Sequence, residues 1–199
     1  MSNWKGIVGK GFSPSDFTSY AASLTFAVWR PQFVVLHNTA QPKLSEWHLV
    51  DGKQRMANLE DFYKNVQKWS AGPHLFVADD LIWIFTPLTL SGVHSPSWNS
   101  LSWGVEMVGD YNVEGLSEQV RDNTVSALAT LHGLLGLDPS TLRLHKEDLR
   151  TTHDCPGRNV DKADIIQRIL NCLAEQHIGE HAVNGLTDNL VGVAGGNNE

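Results

Sequence analysis

Apolar positions along this chain change their period several times, and each change predicts an element. Behind Ser13-Pro14-Ser15-Asp16, an N-cap followed by a first-turn proline and an acidic third position, Phe17, Tyr20, Ala21 and Leu24 recur at three- to four-residue spacing. That predicts a short amphipathic helix within 12–28, ended by Trp29-Arg30-Pro31. Phe33-Val34-Val35-Leu36 is unbroken apolar with two valines, the pattern of a buried central strand, and His37 leaves at its C-terminal end. Turn formers at Asn38, Pro42 and Asp51-Gly52 make 38–53 a loop. From Gln54 to Trp69 the helical spacing returns through Met56, Leu59, Tyr63 and Val66, until Ser70-Ala71-Gly72-Pro73 stops it.

His74–Ala78 and Ile82–Thr86, joined across Asp79-Asp80-Leu81, predict a β-hairpin. Pro87–Ser100 reads as a serine-rich loop, and Ser102–Val108 as a strand whose one charge is Glu106. Ser117-Glu118 opens the clearest helix, with Val120, Thr124, Leu128, Leu131 and Leu135 on one face and Gly136 as its C-terminal cap. Leu142–Leu144 is a short strand feeding His145, and Val160–His177 a last helix. Beyond Gly179 the chain is small and polar, as expected of a frayed tail. The order predicts one α/β domain with a mixed central sheet flanked by helices. Its core spans 31–177, after a helical extension over 1–30 and before a flexible tail over 178–199.

Composition narrows the class. A chain of 199 residues, 41% hydrophobic and 19% charged, suits a single soluble domain. It holds no apolar run of the roughly 18 residues that a membrane helix needs. The start, MSNWKGIVGKGF, has no apolar core of a secretory signal, so cytoplasmic synthesis is expected. A net charge of −7 argues against nucleic acid or an anionic membrane as the main partner. Two cysteines are too few for a disulfide framework.

Most of the nine histidines have bland explanations. His132, His177 and His181 lie in helix or tail, where exposure or the helix dipole accounts for them, and His48 lies in a loop. The stretch His145–Cys155, HKEDLRTTHDC, is different, because it offers two imidazoles and a thiol, with Asp154 between the last two. Imidazole and thiolate are preferred zinc ligands. With His37 as a distant third, they would leave an open position, as catalytic zinc sites do.

At this point the residues resemble a family. VVLHNTA at 34–40, SWGVEMVGDY at 102–111 and LHKEDLRTTHDCPG at 144–157 look like three signature segments of the zinc-dependent type 2 N-acetylmuramoyl-L-alanine amidases. Phage lysozyme-like amidases and peptidoglycan recognition proteins belong to the same family. The similarity spans roughly 30–172, with the step from His145 to Cys155 followed by Pro156-Gly157 its most specific part. It implies one zinc ion per chain on His37, His145 and Cys155, a catalytic carboxylate at Glu106, and His153 where the family has a catalytic lysine. The tyrosine that some members place before the hairpin histidine is here Pro73, so Glu106 would serve instead.

The implied substrate is the amide between N-acetylmuramic acid and L-alanine in peptidoglycan or its fragments, with His74, His94 and Trp98 lining the groove and the chain acting as a monomer. An imidazole in place of lysine implies a mildly acidic optimum and an alkaline fall in activity, because a nearby dication lowers the histidine's pKa. Two other readings compete: a recognition module that grips stem peptides without cutting, and a structural zinc or a Cys155–Cys172 disulfide.

Overall fold

The computed structural model describes the backbone of residues 3–191 and the side chains of 3–176. β1 (Lys10–Phe12) and α1 (Pro14–Ala22) open the chain, and the Ser13 hydroxyl caps α1 by accepting from the Asp16 amide. The helix ends at Ala22, short of residue 28, because Leu24, Phe26 and Trp29 pack on the core one by one; Phe26 meets Trp103 edge to face.

β2 (Phe33–Asn38) is buried along its whole length. The segment read as a loop contains α2 (Leu44–Trp47), whose Trp47 is buried. α3 (Gly52–Asp61) follows, and the helix expected to continue to Trp69 instead widens into a π-turn over Phe62–Val66. β3 (Leu75–Val77) and β4 (Ile82–Ile84) make the hairpin, and β5 (Ser102–Met107) follows its loop. α4 (Glu118–Leu135) is capped by Ser117 and by Gly136, whose φ of 62° is the left-handed cap conformation. β6 (Arg143–Leu144) and α5 (Lys162–Val191) complete the fold. α5 passes the end expected at His177. Residues 192–199, and the side chains of His177 and His181, lie outside the described residues.

The six strands form one mixed sheet in the order β1-β4-β3-β5-β2-β6. β2 runs parallel to β5 and β6, and β3 parallel to β5; β4 is antiparallel to β3 and β1. The edge strand β1, which has no periodic signal of its own in the sequence, pairs with β4 and ties the N-terminal segment to the sheet. Successive side chains on a strand point to opposite faces. Leu36, Leu75, Val105 and Met107 join α1, α4 and α5 in the larger core, whereas Phe76 and Val108 pack with Trp47, Met56 and Tyr63 in a smaller one. In the register, His37 lies beside Glu106 and Glu106 beside Phe76, a row on the face away from the larger core.

Candidate metal centre

The sheet brings the three proposed ligands together without help from any long loop but one. Leu36 pairs with Leu144, so His37 and His145 each follow one position later at the C-terminal edge of parallel strands, where α/β sheets bind ligands. Cys155 returns to this edge from the far end of its loop. The Lys146 amide donates to the Cys155 carbonyl over 2.8 Å, and the Asn38 amide points at its sulfur over 3.4 Å. Gly157, at φ +110°, lets the chain pass Tyr111 so closely that a Cβ would fall 2.4 Å from its carbonyl carbon. Inside the loop, buried Asp148 accepts hydrogen bonds from both hydroxyls of Ser95 and Ser97 and from the amides of Ser97 and Arg150. Burial opposes ionisation there, but those donors hold the carboxyl well below its ordinary range.

One ligand atom from each of His37, His145 and Cys155 lies within 4.8 Å of the others. The His37 and His145 rings are 4.4 Å apart, and His37 Nδ1 is 3.8 Å from Cys155 Sγ. His145 Nε2 is buried without a hydrogen-bond partner among the described residues. A buried imidazole nitrogen left bare is costly unless something electrophilic meets it. Two nitrogens and a sulfur, with one nitrogen orphaned, fit a borderline-soft divalent cation. The electrostatics agree. Burial, then His94 and His145, hold His37 neutral far below its ordinary pKa, and burial also lowers His145, so both are available as bases.

Glu106 places an oxygen 3.9 Å from His37 Nδ1. Burial pushes its carboxyl up to about 8. The remaining expected residues separate. His153 is exposed on the rim, its ring 6.3 Å from that of His145. His94 is buried, and its Nδ1 lies 3.1 Å from His37 Nε2, so it contacts one of the proposed ligands from behind. His74 does not line a groove: it is 0% exposed, its Nδ1 accepts from the Gly104 amide, and its Nε2 donates to the Leu90 carbonyl. Trp98 is also turned aside, half-buried against Phe33 and under the Arg143 guanidinium.

Two cavities flank the centre. One of about 660 Å³ is lined by Glu106, Tyr63, Phe76 and Arg55; the other, of about 370 Å³, by His94, His145, His153, Arg150 and Trp69, so of His74, His94 and Trp98 it is His94 that reaches a cavity beside the centre. By its spacing Tyr63 belongs to an apolar helical stripe. The π-turn carries it into the Glu106 cavity, where burial, then the charges of Glu106 and Cys155, raise its phenol well above the ordinary value. Nothing in its spacing separates it from a core residue. Both cysteines are free, which removes the Cys155–Cys172 disulfide reading.

Comparison with known proteins places this geometry in context. A family model described as N-acetylmuramoyl-L-alanine amidase matches residues 28–158. Peptidoglycan-recognition protein LB of Drosophila melanogaster is 25% identical over 129 residues, 63% of this chain and 54% of that protein; the chain thus spans about half the length of this curated relative. Among solved structures, a point mutant of the Drosophila LB protein in complex with tracheal cytotoxin superposes with a TM-score of 0.60 at 22% identity, covering 72% of this chain and 85% of that one. The N-acetylmuramoyl-L-alanine amidase LysC from Clostridium intestinale does so with 0.60 at 21% identity, covering 74% and 93%. At such identities the superpositions establish a shared fold.

Proposed function

The chain belongs to the N-acetylmuramoyl-L-alanine amidase family, and from that premise we propose that it hydrolyses the amide joining N-acetylmuramic acid to L-alanine in peptidoglycan or its soluble fragments. One zinc ion per chain would be held by His37, His145 and Cys155. The observation that carries this reading is the convergence of those three donors with His145 Nε2 bare and buried. Zinc in such a site supplies Lewis acidity, which activates a water molecule and polarises the scissile carbonyl.

The chain's own residues do the rest. Glu106, ionised, accepts a proton from the attacking water and passes it to the departing amine of L-alanine. The carboxylate is shielded from solvent, which raises its basicity to match that task. His153, exposed on the rim beside His145, donates a ring N–H to the oxyanion. Glycan and stem peptide would lie across the two cavities, with Arg150 and His153 in the smaller one facing the acidic groups of the peptide. We further propose a monomer made in the cytoplasm that meets the wall, or its fragments, after release or delivery. No helix among the described residues is long and apolar enough to cross a membrane.

Metal analysis alongside turbidity loss of purified cell walls tests the reading. Wild type is expected to hold one zinc and clear the walls. Cys155→Ser should lose the metal, whereas His153→Ala should keep it and slow about a hundredfold. Stoichiometric zinc in wild type without any cleavage would instead favour a recognition module that grips stem peptides.

A further inference from the structure

We infer that His94 is a positioning residue that dictates which nitrogen of His37 faces the ligand site; the inference rests on the zinc reading for its purpose but not for its geometry. A neutral imidazole carries one proton, on one of two nitrogens. His94 Nε2 lies 3.2 Å from the Ser102 carbonyl oxygen, which can only accept, so this nitrogen carries the proton. His94 Nδ1 is therefore bare and accepts. Its partner, 3.1 Å away, is His37 Nε2, which must donate. His37 is left with a bare Nδ1, the atom that lies 3.8 Å from Cys155 Sγ and 3.9 Å from Glu106. A backbone carbonyl at the start of β5 thus sets the lone pair at the end of β2 through one intervening ring.

The relay is braced at both ends. The amides of His94 and Ser95 donate to the Asn99 side-chain oxygen at 2.7 and 2.8 Å, which fixes the loop that carries the ring. The ring lies against Gly104, where a Cβ would come within 2.4 Å of His94 Cγ. It stands perpendicular to the His37 ring, with 5.1 Å between centroids. Without His94, the His37 proton can move to Nδ1 and turn toward Glu106, closing the position a cation needs. Partners behind metal-bound histidines are commonly worth ten- to a hundredfold in metal affinity.

The test has two independent arms. Nitrogen NMR of the metal-free wild type should find Nε2 protonated and Nδ1 bare in both His37 and His94. A proton on Nδ1 of either ring overturns the inference, whether or not zinc binds. In the second arm, chelator competition should find zinc affinity reduced about ten- to a hundredfold in His94→Leu. Gly104→Ala should show the same loss. His94→Gln, with an oxygen to accept and an amide to donate, should stay within about threefold of wild type. Undiminished affinity in the folded Leu variant, or equal losses in Leu and Gln, would reduce His94 to a packing residue. Should the Leu variant fail to fold, the NMR arm still decides. If wild type binds no zinc yet shows the expected tautomers, the zinc reading fails and the relay stands.

Discussion

Glu106 is a carboxyl held where little water reaches, and that placement has an energetic cost which can be measured. Its side chain is 12% exposed, and the base 3.9 Å away, His37, is neutral and offers no ion pair. Burial raises the carboxyl from 4.5 to about 8, so the folded metal-free chain keeps a proton that the unfolded chain releases. Its contribution is complete below pH 4.5 and is lost as pH rises through 8. Metal-free Glu106→Gln should therefore be more stable than wild type at pH 8, by roughly 2–4 kcal/mol, and no different below the unfolded pKa. Urea unfolding at both pH values checks this; a constant difference across pH would contradict it. At this scale the donors His37, His145 and Cys155 were legible, because nitrogen and sulfur at strand ends are few. His74 and His94 were not distinguishable. Both flank the hairpin loop in sequence, and the backbone groups that separate them, Leu90, Gly104 and Ser102, are selected only by folding.

Among the elements, those with local signals read true and those made by pairing did not. α4 carries its own caps, Ser117 and Gly136, and its apolar stripe spans several turns. The β3–β4 hairpin is two apolar runs joined across the polar turn Asp79-Asp80. β1 is three residues with a lysine and a glycine, and it becomes a strand only because β4 offers it an edge. α2 is a single turn fixed by the burial of Trp47. The returning loop that delivers Cys155 depends on Gly157, and its demand is tertiary, since the clash is with the Tyr111 backbone. Gly157→Ala is expected to cost at least about 2 kcal/mol, from strain plus that contact, and to weaken zinc binding by displacing Cys155. Gly136→Ala, at a φ of +62° with open space around it, should cost about 1 kcal/mol and leave zinc affinity unchanged. Thermal melts paired with chelator titration distinguish the two; equal metal loss in both would show that Gly157 has no special bearing on the centre.

For the molecule as a whole, the buried histidines make the metal-free fold acid-labile. Burial holds His74 down to about 3 and His94 down to about 4, with His37 also far below its usual value. Such groups contribute stability above about 6.5 that is lost as pH falls through their folded values. Acid titration of the metal-free protein should therefore show a loss between pH 6.5 and 3 steeper than one proton can explain, and less steep in His74→Gln. A pH-independent stability over that range would contradict it. The mixed sheet, its helical layers and the family were legible in three short segments, whereas Tyr63 and the role of His94 emerge only when the sheet is assembled. If the proposed centre is an amidase, it cuts a single bond. Mass spectrometry of products from intact sacculi and soluble muropeptides tests it most directly. Wild type is expected to release free stem peptides beginning at L-alanine and to leave glycan chains whose N-acetylmuramic acid residues carry free lactyl carboxylates, both products lost together in Cys155→Ser. Uncut material, or cleavage at any other bond, would contradict it.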